Sequence, residues 1–233
     1  MKFVPEYRGV LRLKAREYGQ SVMGAPLQYF PSEGKCELLV MAAIHGEEPE
    51  TTFLLSRVLR AFEKNFQSIA FILCANPDGM TLGTRGNARG VDLNRNFPTA
   101  NWMDSPVGSR SILEAARDTL LSPGRTSGSE PETAALVSLI EDLKPQEILS
   151  IHAPIGCVDA PEETPLVQNL EETFGLPWVP DIGYATPGSL GTWCKEHSLN
   201  CVTLELPRLA PELLFERFGA SFAALLEDMN AHN

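Results

Sequence analysis

The stretch "CELLVMAAIHGEEPETTFLLSRVL", residues 36–59, decides how the rest of the chain is read. From Leu38 to Ile44 it is an unbroken apolar run, as a strand covered on both faces requires. From Pro49 onward, apolar residues recur at helical spacing, and Pro49 itself suits a first helical turn because the amide it lacks would have no partner there. Between strand and helix stand His45, Gly46, Glu47 and Glu48. An apolar core does not tolerate such a cluster without partners, and a surface loop has no need of it.

The same alternation continues outward. "SIAFILCAN", "EILSIHAP" and "CVTLELP" are further strand-like runs. The spacing predicts helices over residues 49–65, over "SEPETAALVSLIEDL", over "TPLVQNLEETFG" and over "APELLFERFGASFAALLEDMN". In the second of these, Ser129 and Glu132 have the spacing of a capping box; the third closes on Gly175. Alternating strands and helices predict an α/β protein with a mixed, mostly parallel sheet between helices. With 233 residues and 43% apolar content, one domain spanning residues 1–233 is expected.

Composition narrows the function. A net charge of −11 argues against nucleic-acid binding, which favours a basic face. No run of about 18 apolar residues predicts a membrane span. The first twenty residues, broken by charges, do not read as a secretory signal, so a cytoplasmic protein is expected. Five scattered cysteines, none in a CxxC pair, read as reduced thiols rather than as a zinc site.

Two long loops, "NPDGMTLGTRGNARGVDLNRNFPTANWMDSPVGSR" and "PWVPDIGYATPGSLG", interrupt the alternation, and loops of this length usually carry function. His45 and His152 fall at strand ends, where open α/β sheets bind ligands. His45 and Glu48, three apart, can reach one point beyond the strand end, and His152 completes a two-His, one-Glu set that suits catalytic zinc. His197 reads as an exposed helix-end residue, and His232 belongs to the tail. Glu205, between Leu204 and Leu206, is either a solvent-facing residue of an edge strand or a general base with a shifted pKa. Within "GTRGNARGVDLNRNFP", Asn94 and Arg95 can grip a carboxylate and another arginine can stabilise an oxyanion. Seen alone, the segment is an ordinary polar turn.

Together "HGEE", "NPDG…TRGNARGVDLNRNFP", "SIHAP", "GYATPGSLGTW" and "TLELP" resemble the zinc carboxypeptidases of the carboxypeptidase A type, in order and spacing, over about residues 38 to 207. The resemblance implies a single-domain three-layer α/β/α sandwich and one zinc ion per chain held by His45, Glu48 and His152. It implies Glu205 as the catalytic glutamate and Arg85 as the carbonyl-polarising arginine. Asn94 and Arg95 match the pair that holds the terminal carboxylate, Tyr184 the mobile tyrosine, and Asp92 the carboxylate that orients the first zinc-binding histidine. The wording "SIHAPIGCVD" is similar to members that cleave the γ-D-glutamyl–meso-diaminopimelate bond of murein tripeptide. A small murein peptide is thus the expected substrate, with no nucleic-acid or membrane partner and a monomer or homodimer as the working form. Asp159 is a candidate for meeting the far amine of diaminopimelate, though the sequence does not place it. The competing readings are an aspartoacylase-like deacylase, a broader metallocarboxypeptidase, an extracellular endopeptidase and a non-catalytic binding protein.

Overall fold

A computed structural model of the protein describes residues 9–110 and 118–231, so His232 lies outside the described residues. The chain runs β1 (Arg16–Gln20), β2 (Pro26–Tyr29), β3 (Leu38–Ala42), α1 (Pro49–Leu59), β4 (Ile69–Ile72), α2 (Pro77–Leu82), β5 (Val107–Arg110), β6 (Asp118–Leu121), α3 (Pro131–Leu143), β7 (Glu147–His152), β8 (Ile155–Asp159), α4 (Pro165–Phe174), β9 (Trp178–Val179), α5 (Leu190–Glu196), β10 (Asn200–Pro207) and α6 (Pro211–Ala231), with a 3-10 turn at Leu93–Arg95.

Six strands form the central sheet in the order β4-β3-β7-β10-β8-β9. The first four are mutually parallel, β8 is antiparallel to β10, and β9 is parallel to β8. Because side chains alternate along a strand, β3 sends Leu38, Val40 and Ala42 to one face and Leu39 and Met41 to the other. On the first face they meet Leu54 and Val58 of α1, Leu170 of α4 and Phe222 of α6. On the second they meet Leu136 and Ile140 of α3 and Trp193 of α5. Burial on both faces is why these strands read as continuous apolar runs, and the expected three-layer α/β/α architecture with a mixed, mostly parallel sheet is what forms. No described helix is long and apolar enough to cross a membrane.

Three local expectations need correction. The first helix ends at Leu59, not Asn65. Phe62 and Phe66 turn inward edge to face, and the Asn65 amide donates to the carbonyls of Lys14 and Pro31. The capping box at Ser129 does not form. The residue before a proline is pushed to extended backbone, so Glu130, preceding Pro131, takes the N-cap position at φ −88° and ψ 136°. Ser129 Oγ then donates to Glu130 Oε1, while the Glu132 carboxylate accepts from Asn87 and from the Val22 amide. Finally, the first long loop holds α2, the 3-10 turn and β5.

Candidate active site

The site begins where β3 ends. Ala43 turns into left-handed backbone at φ 51°, and its N–H donates to Thr51 Oγ1 at 3.1 Å. That hydroxyl in turn donates to the Glu48 carbonyl at 2.7 Å, so the first turn of α1 is tied back onto the strand end. Gly46 lies so close to α2 that a Cβ there would sit 2.0 Å from the Gly79 carbonyl carbon, which no side chain permits. This tight bend aims His45 and Glu48 at the carboxyl end of β7. His45 Nδ1 lies 2.7 Å from Glu48 Oε1 and 3.2 Å from His152 Nδ1, and Glu48 Oε2 lies 3.3 Å from His152 Nδ1. All three residues are buried. Burial alone would raise the Glu48 pKa, but His45 and His152 hold that carboxyl well below its ordinary range.

Behind them sits Asp92, completely buried. Its Oδ1 lies 3.4 Å from His45 Nε2 and accepts from the Asn94 amide at 2.9 Å; its Oδ2 accepts from Arg85 Nε at 2.9 Å. Against the burial that opposes its ionisation, Arg85 and His45 keep the Asp92 carboxyl depressed. Arg85 Nη1 points on toward Glu47 and Glu48, 3.8 Å from each. Asn94 Oδ1 accepts from the Leu190 amide at 2.9 Å, which orients its side-chain nitrogen away from the backbone. Arg95 is held by its own Nη1, which donates to the Asn94 carbonyl at 2.7 Å. Gly188, φ 72°, packs against the Arg95 carbonyl where a Cβ would approach to 2.4 Å. The second long loop is thereby pinned to the 3-10 turn that carries Asn94 and Arg95.

Glu205 occupies an interior strand, which removes the edge-strand reading. β10 lies between β7 and β8, with Glu205 in register with His152 on one side and Cys157 on the other. It is 7% exposed, and its Oε2 accepts from the Ile155 amide at 3.4 Å. Burial, opposed by His152 and aided by Glu48, raises its pKa. Tyr184 is 55% exposed. A cavity of about 920 Å³ is lined by His45, Glu48, Arg85, Asn94, Arg95, His152, Tyr184 and Glu205, and also by Asp159. Asp92 does not line it but supports the residues that do. His197 stacks on Trp193 at 4.2 Å instead, and Arg89 turns away to Glu130.

Sequence reasoning passed over several residues that hold this geometry. Ser150 Oγ lies 3.1 Å from His152 Nε2; a serine two residues before a histidine, inside an apolar strand, is the signal that marks it. The Asn76 side chain caps α2 through the Gly79 amide and donates to the Ile44 and Arg85 carbonyls, and its position before Pro77 is a helix-start signal. Nothing in the sequence singles out Thr51.

Among the described residues, His45, Glu48 and His152 are the one group of three or more such side chains whose ligand atoms converge, all within 4.8 Å. Two ring nitrogens face each other beside a carboxylate, while the far side of the first ring rests on Asp92. That donor set suits a single zinc ion with one position left for water. Residues 12–154 match the zinc carboxypeptidase family, and the chain belongs to it; zinc is accordingly its cofactor and peptide-bond hydrolysis its chemistry. More particularly, the chain is 40% identical over 222 residues to murein peptide amidase A of Escherichia coli K12, covering 94% of this chain and 92% of that one. It is 42% identical over 223 residues to murein peptide amidase A of Vibrio campbellii, covering 94% and 90%. The crystal structure of murein-tripeptide amidase MpaA from Escherichia coli O157 superposes with a TM-score of 0.90 at 38% identity, over 97% of this chain and 96% of that one. Thrombin-activatable fibrinolysis inhibitor, at 16% identity and a TM-score of 0.69, over 98% of this chain and 72% of that one, shares the fold.

Proposed function

We propose that this protein is a zinc-dependent amidase that hydrolyses the γ-D-glutamyl–meso-diaminopimelate bond of murein tripeptide, as part of cell-wall peptide recycling in the cytoplasm. The observation that carries the proposal is one cavity combining a two-His, one-Glu cluster, a buried Glu205 and the Asn94–Arg95 pair. Likeness to murein peptide amidases over 94% of the chain supports the choice of substrate.

In this reading His45, Glu48 and His152 hold zinc, which when bound lowers the pKa of its water and polarises the scissile carbonyl. Asp92 and Ser150 orient the two imidazoles from behind. Glu205 removes a proton from the attacking water and returns it to the leaving nitrogen, a task that a raised carboxyl pKa serves. The Arg85 guanidinium, anchored on Asp92, keeps its Nη atoms for the developing oxyanion, where a fixed donor needs no reorganisation. Asn94 and Arg95 bind the free α-carboxylate beside the scissile nitrogen through charge-assisted hydrogen bonds. Tyr184 closes over the bound peptide. Recognition centred on the leaving residue explains how a carboxypeptidase site accepts a γ-linked acyl group: diaminopimelate presents the same carboxylate whatever precedes it. The working unit is a monomer or homodimer, with no nucleic-acid or membrane partner.

The test compares kcat/KM for L-Ala-γ-D-Glu-meso-diaminopimelate, for the same peptide amidated at the carboxylate next to the scissile bond, and for an α-linked L-Ala-L-Glu analogue, with products read by mass spectrometry. Losing two charge-assisted hydrogen bonds, at roughly 1.5–3 kcal/mol each, lowers efficiency on the amidated peptide by two decades or more. Equal rates on all three would return the protein to a general carboxypeptidase or deacylase.

A further inference from the structure

Two thiols meet where the cavity runs away from the metal site. Cys201 is the second residue of β10, four before Glu205, which places it about 13 Å along the strand at ~3.3 Å per residue. Alternation puts it on the same face as Thr203 and Glu205, and this is the face that α5 covers. Cys194 sits in the last turn of α5, with no solvent exposure. A tight turn through Ser198, left-handed at φ 56°, folds the chain back so that the Leu199 amide donates to the Cys194 carbonyl at 2.9 Å. The two thiols are hydrogen-bonded to each other, with the Cys194 S–H directed at the Cys201 sulfur. That bond first, then burial and the neighbouring sulfur, hold the Cys194 proton on far above a thiol's ordinary range. Cys201 is half-buried and lines the cavity, whereas Cys194 does not line it. The other cysteines lack this arrangement: burial pushes Cys36, Cys74 and Cys157 up to about 11, and no second thiol is among the groups that act on them.

We infer that Cys201 and Cys194 form a modification site for hydrogen peroxide, in which Cys201 is oxidised first and Cys194 resolves it as an intramolecular disulfide. The thiolate is the reactive form, and the Cys194 S–H stands where it supports charge on the Cys201 sulfur as that sulfur attacks. The Cys201 sulfur bonds to one peroxide oxygen, the O–O bond breaks, and the departing hydroxide takes up the thiol's proton as water. Two electrons pass from sulfur to peroxide, leaving Cys201 as a sulfenic acid. The Cys194 sulfur then bonds to the Cys201 sulfur, the S–O bond breaks, and hydroxide leaves with the Cys194 proton as a second water. Two thiols and one peroxide thus become one disulfide and two waters. A sulfenic acid with no thiol in contact goes on to sulfinic acid, which is irreversible. The pair keeps the first step recoverable by an external reducing thiol. The inference does not depend on the substrate of the metal site.

The test exposes the reduced, zinc-loaded protein to excess hydrogen peroxide, blocks the remaining thiols and maps proteolytic peptides by mass spectrometry without reduction. Cleavage after Lys195 separates the two cysteines, so the bond shows as a peptide pair lighter than its parts by two hydrogens. The wild type is expected to give the Cys194–Cys201 pair, to revert fully with dithiothreitol and to show no sulfinic acid at Cys201. In Cys194→Ala, which keeps the core position apolar, dimedone is expected to label Cys201 and sulfinic acid to accumulate there. In Cys201→Ser, Cys194 is expected to remain a thiol. The wild-type measurement decides by itself if a variant fails to fold. Cys201 that stays reduced, that advances to sulfinic acid with Cys194 present, or that pairs with Cys36, Cys74 or Cys157 overturns the inference.

Discussion

The wall of the cavity built from His45, Glu48, Arg85 and Asp92 is saturated with internal partners, whereas the wall built from Asp159 and Tyr184 is nearly bare. On the first wall Asp92 alone joins Arg85, His45 and the Asn94 backbone within 3.4 Å, with no solvent exposure. On the second, Asp159 has no hydrogen-bonded partner among the described residues and Tyr184 is 55% exposed. Under the proposed reaction the difference amounts to a division of labour. Groups that face charge developing during reaction work best when fixed in advance, because they then need no reorganisation at the decisive moment. Groups that recognise substrate gain by being unpaired until it arrives, since only then does binding add a partner rather than exchange one.

Perturbing the saturated wall should have the largest effects. In His152→Ala, zinc content measured by mass spectrometry is expected to fall markedly and hydrolysis to vanish; tight, unaltered zinc binding would remove His152 from the ligand set. Stripping the wild type with a chelator should likewise abolish turnover, and added zinc restore it. Glu205→Gln, at the junction of the two walls, is expected to keep its zinc and its melting temperature while kcat drops by roughly 10²–10⁴. A variant with wild-type turnover would leave the reaction in need of another base. Asp92→Ala takes the Nε partner from Arg85, leaving it only the 3.8 Å approaches to Glu47 and Glu48, and a buried donor that loses its partner costs about 1–3 kcal/mol. Its urea midpoint should fall accordingly; an unchanged midpoint would show the network to be dispensable for folding. At the bare wall, Tyr184→Phe removes only a hydroxyl that has no hydrogen-bonded partner among the described residues. Stability should stay within about 0.5 kcal/mol of wild type, and kcat/KM should fall by roughly fivefold, the worth of one net hydrogen bond to substrate. A loss as large as that of Glu205→Gln would mean that the phenol takes part in proton transfer.

Legibility in the sequence follows the same line. The four parallel strands could be read because both their faces are buried and their apolar runs are nearly continuous. Strand β8 could not, because "IGCVD" is short, contains a glycine and ends on a charged residue. Strands β1 and β2 are short and partly exposed, so their alternation is faint. The helix over residues 129–143 was legible as a helix, but its cap was not: Pro131 sets the backbone of Glu130 locally, while the Glu132 carboxylate is drawn by Asn87, 45 residues away in the chain.

For the site, residue types and spacing by themselves singled out His45, Glu48 and His152 as a candidate metal set, since a strand-end histidine with a glutamate three residues on is a local arrangement, and the fold brings their ligand atoms within 4.8 Å of one another. They also marked Glu205 as anomalous without saying why. Only the tertiary structure decided that Glu205 is interior, because strand order is a property of the whole sheet: β8 doubles back antiparallel and covers the edge that β10 would otherwise present. The same hairpin-like return sets Asp159 diagonal to Glu205, a relation between residues 46 apart that no local pattern encodes. The chemistry of the reaction is written in short motifs because few atoms at short range make a metal site. Which residues surround that chemistry depends on long-range pairing, where burial and register, rather than neighbouring residues, determine what faces what.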